Sequence, residues 1–244
     1  MRRFFIPINQ IKSKIAFITG SDAHHIINVL RKKEGDLLEA TDGKGNNLKC
    51  KIVKVVGEKV EMKIIEKEVK EERKIFLRLY QALPKGMKID LIVEKACELG
   101  VNEFVMVFTE RTIPEYDEKR LKNKKERLER ISLEVMKQTG RNTLMIIQDA
   151  IHINKINSLL LKDSLKIMPW EMERDLSLKS LLKKNSRIDS VELLIGPEGG
   201  FTIDEVDRMR KDGFITVSLG NRILKVETAT IVASGNIYYE LEKY

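Results

Sequence analysis

The stretch "LLIGPEGGFTIDEV", residues 193–206, decides how this chain is read. An apolar run ends in three glycines, a proline and a carboxylate within five residues, and helix-like text resumes at once. A strand entering a helix needs only a short connection, and GPEGG holds more special backbone geometry than a plain turn requires. Gly196, Gly199 and Gly200 leave N–H and C=O groups bare to a flat ligand, while Pro197 stiffens the loop. Thr202 and Glu205 have capping-box spacing, so a helix is expected from 203 with its N-terminus toward the loop.

Around this stretch the text alternates strand and helix. "IFLRLYQAL" (75–83), "FVMVF" (104–108), "LMIIQ" (144–148), "LKIM" (165–168), "VELLI" (191–195) and "FITVSL" (214–219) are expected strands. Helices are expected over 87–99, stopped by Gly100, within 117–139, near 153–162 and 174–184, from about 203, and from about 226. Such alternation predicts a parallel-sheet α/β domain. Residues 1 to about 68 differ, with five short strand-like segments, hairpin chemistry in "TDGKGNN" (41–47), and one helix, "SDAHHIINVLRKK", capped by Ser21 or Asp22. This predicts a small, mostly antiparallel β domain over 1–70 and a second domain over 71–244. The charged run "EKEVKEERK" (66–74) is the expected solvated connector.

The chain has 244 residues, 45 Lys plus Arg against 37 Asp plus Glu, and a net charge of +8. The opening "MRRFFIPINQIKSK" contains four basic residues and no acid, which raises RNA or DNA as a partner. Cys50 and Cys97 lie in different segments without metal-ligand spacing, so no disulfide framework and no metal site are expected. No apolar run reaches the ~20 residues of a membrane span, and the start lacks the apolar core of a signal peptide; a cytosolic protein is expected.

In open parallel sheets ligands gather at the carboxyl ends of the strands. Three loops qualify: the one reached through Met168 and Pro169 ("PWEMER"), the one reached through Leu194 and Ile195 ("GPEGGF"), and "GNRILKVETA" after Leu219. No GxGxxG or GxxxxGK stands there, so nucleotide cradles of those kinds are unsupported. His24, His25 and His152 lie outside the loops, so a serine-type triad has no base. Leu219, Ile223 and Leu224 can wall an apolar slot beside the bare backbone of Gly220, and Glu227 and Thr228 open the last helix. The glycine loop and the "LGNRIL" loop are expected on neighbouring strands, sharing one pocket.

Together with "RRFFI" (2–6), "HHIINVLRKKEGD" (24–36), "KGMKIDLIVEKACELGV" (85–101), "ERT" (110–112) and "QTGR" (138–141), these two loops resemble the knotted α/β (SPOUT) methyltransferases, most closely the ribosomal RNA small subunit methyltransferase E family. The resemblance spans nearly the whole chain. It departs at Lys225, where the family often has Arg, and at "MPWE" (168–171), a loose match. The resemblance implies a PUA-like RNA-binding domain followed by a domain with a deep trefoil knot, S-adenosyl-L-methionine held across the three loops, a homodimer, and methylation of N3 of a uridine in 16S rRNA of the small ribosomal subunit.

It likewise implies that Gly196, Gly199, Gly200, Leu219, Gly220, Ile223 and Leu224 hold the cofactor, with Met168, Pro169, Leu194, Ile195, Pro197 and Thr228 beside them. Arg141 and Arg222, with Arg111 as a third candidate, are suited to steady an anionic uracil or its phosphate. Glu198 or Glu227 is suited to be the base or a neighbour of the sulfonium. Arg2, Arg3, Arg31, Lys32 and Lys33 are the expected RNA contacts, and "KRLKNKKERLER" (119–130) is expected to be a solvated helix face. Two other readings stay open: a noncatalytic RNA-binding assembly factor, and a methyltransferase acting on transfer RNA or a ribose 2'-hydroxyl.

Overall fold

The computed structural model of the protein describes residues 3–69, 75–112 and 117–242. They fall into two compact units, Met1–Glu72 with Met136–Leu144, and Arg73–Val135 with Met145–Tyr244. The expected division near residue 70 and the end of the charged connector lie outside the described residues.

The first unit is a six-stranded sheet of β1 (Phe4–Phe5), β2 (Ile11–Lys12), β3 (Ile15–Thr19), β4 (Leu37–Thr41), β5 (Asn46–Val56) and β6 (Lys59–Val69), in the order β1-β4-β5-β6-β3-β2. Only the β1–β4 pair is parallel. The β4–β5 turn uses Gly43 and Gly45 at positive φ, as its Asp-Gly and Lys-Gly text demands. Glu66–Val69 is strand rather than connector: it pairs with Asn46–Lys49, its side chains in solvent and its backbone in the ladder.

The first-unit helix is shorter than its periodicity suggests. α1 (Gly20–His24) passes into a turn of π-helix over His25–Val29; its N-cap is Thr19 in place of the expected Ser21 or Asp22, and the Asp22 carboxylate is held by Lys137 Nζ at 2.9 Å. The turn that follows puts Arg31 at φ 52, a left-handed conformation unusual for a residue with a Cβ.

The second unit is a fully parallel sheet of β7 (Phe76–Ala82), β8 (Glu103–Phe108), β9 (Ile146–Ile147), β10 (Ile151–His152), β11 (Leu165–Pro169), β12 (Ser190–Ile195) and β13 (Ile215–Val217). Its order is β10-β8-β7-β12-β11-β13, with β9 also on β8. β12 and β13 are therefore not neighbours; β11 lies between them and pairs with both. Parallel strands connect by crossover, so sequence adjacency does not fix adjacency in the sheet.

Both faces are covered, as the continuous apolar strands require. Leu193 and Ile195 join a core with α2 (Lys88–Leu99), α4 (Leu178–Lys184) and α6 (Val226–Leu241). Leu194 and Met168 point into the opposite core, with α5 (Ile203–Lys211). The remaining helix, α3, runs Glu118–Thr139, and its residues from Met136 belong to the first unit. Gly100, at φ 106, caps α2. Tyr238 donates to its carbonyl at 2.6 Å, and Thr230 donates to the buried Gln81 Oε1 at 2.8 Å, fastening α6 to α2 and β7.

Two expected helices shrink because carboxylates claim their ends. Residues 153–159 form a 3-10 stretch, beyond which Glu192 Oε1 accepts Leu161 N at 2.7 Å. α4 starts only at Leu178, because Glu173 Oε1 accepts the backbone N–H groups of Asp175 and Leu176 and holds them in a turn.

Glu192 has no exposure at all, and its partners also include Tyr80 OH at 2.6 Å, Ser164 Oγ at 2.5 Å and Arg78 Nη1 at 3.9 Å. Burial and then the Glu192 hydrogen bond push the Tyr80 hydroxyl well above its usual value, so it remains a donor. Glu192→Ala leaves these groups unpaired in the core and is expected to destabilise the protein by ~3–5 kcal/mol in urea unfolding, whereas exchanging exposed Glu129 of α3 changes it by less than ~0.5 kcal/mol.

Candidate active site

The carboxyl ends of β11, β12 and β13 bring the three loops around a cavity of about 520 Å³, a size suited to a cofactor. Pro169, Trp170, Glu171 and Arg174 form one wall, Ile195–Phe201 a second, and Ser218–Val226 with Ala229 a third; Lys88 of α2 reaches the rim.

Each loop is held by its own chemistry. The capping box at α5 is complete: Glu205 N donates to Thr202 Oγ1 at 3.3 Å, and Thr202 N donates to Glu205 Oε2 at 2.9 Å. Glu205 is only 4% exposed, and its other oxygen accepts Glu110 N at 2.8 Å, tying the loop after β8 to the start of α5. Arg111 extends that tie by donating to Gly199 O. Ser218 anchors the third loop, accepting Leu178 N on its carbonyl at 3.0 Å and Gly220 N on its hydroxyl at 3.2 Å.

The glycines have internal reasons beyond an approach to a ligand. A Cβ on Gly196 would lie 2.8 Å from Phe201 Cε2, because the buried ring packs directly on this residue. Gly200 takes φ 68 against the Glu171 carboxylate, which gives Glu171 a visible place in the loop. Gly220 is at φ 124.

Electrostatics at the rim centre on Glu198. Its carboxylate accepts Lys88 Nζ at 2.8 Å and Lys85 N at 3.2 Å. Partial burial works to raise its pKa, but the Lys88 ammonium and the backbone donors outweigh it, and the net shift is downward. Lys88 is raised, first by the same hydrogen bond. Two buried polar atoms make no hydrogen bond: Trp170 Nε1, in the cavity wall, and Glu227 Oε2, whose residue follows the lining residue Val226 but is not itself in the lining.

Of the residues expected to hold a cofactor, Pro169, Ile195, Gly196, Pro197, Gly199, Gly200, Leu219, Gly220, Ile223 and Leu224 line this cavity, as do Glu198 and Arg222. Met168 and Leu194 do not; they are fully buried on the α5 face of the sheet. Thr228 is an exposed residue of α6 outside the lining, and Arg141 belongs to the first unit. Lys88, Trp170, Arg174 and Asn221 line it without having been singled out; the alternation of "LKIM" ends at Pro169, so nothing in its text marks Trp170. Arg210 stands 5.3 Å over the Trp170 ring and donates to Thr216 Oγ1 at 3.0 Å, buttressing that wall.

Among the expected RNA contacts, Arg31 and Lys33 are exposed, Lys32 is half-buried, and Arg2 lies outside the described residues. Arg3 is half-buried and donates to Gly140 O and Asn142 Oδ1, both at 2.8 Å. The basic face of α3 is partly neutralised, Lys125 by Asp149 at 2.7 Å and Arg127 by Asp90.

A parallel α/β unit with a cavity at its strand ends, accompanied by a small β unit, is the arrangement of an RNA methyltransferase: the RNA methyltransferase domain model matches residues 71–238, and the RNA methyltransferase PUA domain model matches residues 18–65. The segment 136–144 thus lies within the matched methyltransferase stretch yet packs into the first unit. The ribosomal RNA small subunit methyltransferase E of Bacillus subtilis is 32% identical over 99% of this chain and 98% of its own. The solved structure of a ribosomal RNA small subunit methyltransferase E from Neisseria gonorrhoeae bound to S-adenosyl methionine matches with a TM-score of 0.86 at 25% identity, covering 99% of this chain and 98% of its own. A probable rRNA-methyltransferase from Porphyromonas gingivalis matches at 0.84 and 28%, with the same coverage. The chain belongs to the ribosomal RNA small subunit methyltransferase E family.

The Gly196–Phe201 contact is directly testable. Gly196→Ala is expected to destabilise the protein by ~1–3 kcal/mol, and Phe201→Leu in the same chain to return part of that, both read as shifts in urea midpoint.

Proposed function

We propose that the protein methylates N3 of a uridine in 16S rRNA of the small ribosomal subunit, in the cytosol, using S-adenosyl-L-methionine. The observation that carries this reading is the single cavity built by three strand-end loops, which holds most of the residues expected from the family. S-adenosyl-L-methionine, when bound, supplies an electrophilic methyl group on a positively charged sulfur.

The residues fit such a group. Leu219, Ile223 and Leu224 give apolar walls, and Ile223 is 87% exposed, a large side chain awaiting cover. Trp170 Nε1 and Glu227 Oε2 are polar atoms in need of partners, and the carboxylates of Glu171 and Glu198 suit a cationic ligand. On the acceptor side N3 of uracil carries a proton that must leave before or as the new N–C bond forms. Arg222 at the rim and Arg141 are assigned to steady the resulting anion on the uracil oxygens.

Glu198 is a poor proton acceptor because its pKa is held down; we assign it to orienting Lys88 and the rim, and the unpartnered Glu227 oxygen to the base. RNA contact is assigned to Arg31, Lys32 and Lys33. Keeping a side chain at a left-handed position where glycine would be easier supports a functional need for Arg31. Exposed Met87 at the N-cap of α2, Leu91 on α2 and Tyr239 on α6 support a homodimer, and the resemblance to the knotted methyltransferases supports a trefoil-knotted C-terminus.

Incubation with stripped small subunits and S-adenosyl-L-methionine, followed by mass spectrometry of the nucleosides, is expected to yield 3-methyluridine. A 2'-O-methyl product, or modification of transfer RNA instead, overturns the assignment. Trp170 is the only tryptophan, so the cofactor is expected to change its fluorescence saturably; no binding there or by calorimetry points to a noncatalytic RNA binder.

A carboxyl lowered in the folded state contributes stability above its ordinary range of ~4.3, and loses it only as pH falls through the lowered value. Glu198→Gln is therefore expected to leave the pH dependence of activity above that range unchanged, while Glu227→Gln is expected to lower turnover at every pH.

A further inference from the structure

We infer that Arg3 is a positioning residue for the reaction, clamping within the first unit the loop that carries Arg141. The inference rests on the reading of Arg141 as a group that steadies the uracil.

The loop is stitched into the first unit on both sides of Arg141. Before it, Gly140 stands at φ 74 with its carbonyl accepting Arg3 Nη1. After it, Asn142 is only 2% exposed: its side-chain oxygen accepts the same Arg3 nitrogen, and its carbonyl accepts Thr41 Oγ1 and Gly45 N, each at 3.0 Å. Leu144 N then donates to Gly43 O at 2.9 Å.

The receiving hairpin is itself rigid, since Asp42 Oδ1 accepts Lys44 N at 2.9 Å and Asn46 N at 3.2 Å. The "TDGKG" turn is thus the cradle of the loop as well as a reversal of chain. One Arg3 nitrogen, with its two N–H bonds, reaches acceptors on either side of residue 141. A lysine ammonium lacks that flat fork and would hold the pair less well. Catalytic groups must be held within fractions of an ångström, and a surface loop without such anchors opens easily.

The test uses the full chain and four proteins: wild type, Arg3→Ala, Arg141→Ala and the double variant, with Arg3→Lys as a milder form should Arg3→Ala fold poorly. In Arg3→Ala, turnover on stripped small subunits is expected to fall about ten- to a hundredfold with cofactor affinity held, and the double variant to match Arg141→Ala. Cleavage by trypsin after Arg141, followed by mass spectrometry, is expected to quicken about tenfold or more in Arg3→Ala, and less in Arg3→Lys.

Losses that multiply in the double variant, or a salt slope of RNA binding reduced by about one in Arg3→Ala, make Arg3 a direct phosphate contact and overturn the inference. An unchanged cleavage rate overturns it as well. A fully active Arg141→Ala overturns instead the reading of Arg141, while the cleavage rate still reports on the clamp.

Discussion

Four charged residues in one row set the geometry of the second unit. Glu103, Arg78, Glu192 and Lys166 stand opposite one another across β8, β7, β12 and β11. Arg78 Nε donates to Glu103 Oε2 at 2.7 Å, and Glu192 is wholly buried between its neighbours. Because side chains alternate at every residue, a slip of one position in any of these strands would turn its charge to the opposite face. The row therefore fixes register, and register fixes where each strand ends. Pro169 and Ile195 lie three residues beyond Lys166 and Glu192, so the first two cavity loops leave the sheet at one level.

Alignment alone would leave loose loops, and the carboxylates that follow remove that freedom. Glu205 joins the α5 cap to the loop after β8, Glu173 holds residues 175 and 176 and accepts Thr216 Oγ1 at 2.6 Å, and Glu198 draws in Lys85 and Lys88. Each accepts backbone N–H groups near a strand end, where a parallel sheet leaves donors without ladder partners. GPEGG is stiff because Phe201 fills the space over Gly196 and Glu171 sits against Gly200. Close backbone approach and loop stiffness thus come from the same glycines.

The alternation of strands and helices, the Gly100 stop, the capping box at Thr202 and the glycine hairpin at 43–45 were legible in the sequence, because each is encoded within a few neighbouring residues. Strand order was not: β11 sits between β12 and β13 through long crossovers, and no local pattern records that. The same reason hid the strand character of Glu66–Val69, whose only partner lies some twenty residues earlier, and the early end of the 153–159 helix, which depends on Glu192. Met168 and Leu194 were drawn toward the site by their position beside the loops, but period-two alternation sends them to the opposite face from Ile195. The charge of Arg3 points to RNA, but its partners are Gly140 and Asn142, which no local pattern places beside it.

The third loop differs from the other two in what determines its shape. Its base is tied by Ser218, and its far end by Thr230, whose hydroxyl bonds to Gln81 and to Val226 O. Between these anchors Asn221, Arg222 and Ile223 are exposed, with Gly220 at a positive φ in open space. An apolar side chain 87% in solvent gains nothing from that placement until another apolar surface covers it, at roughly 25 cal/mol per Å² of apolar area removed from water. The first two loops are thus held by contacts inside the protein, while the third leaves its apolar side chain uncovered. The same cavity therefore joins loops held by internal hydrogen bonds to a loop whose middle, with Arg222 on it, stands open to solvent.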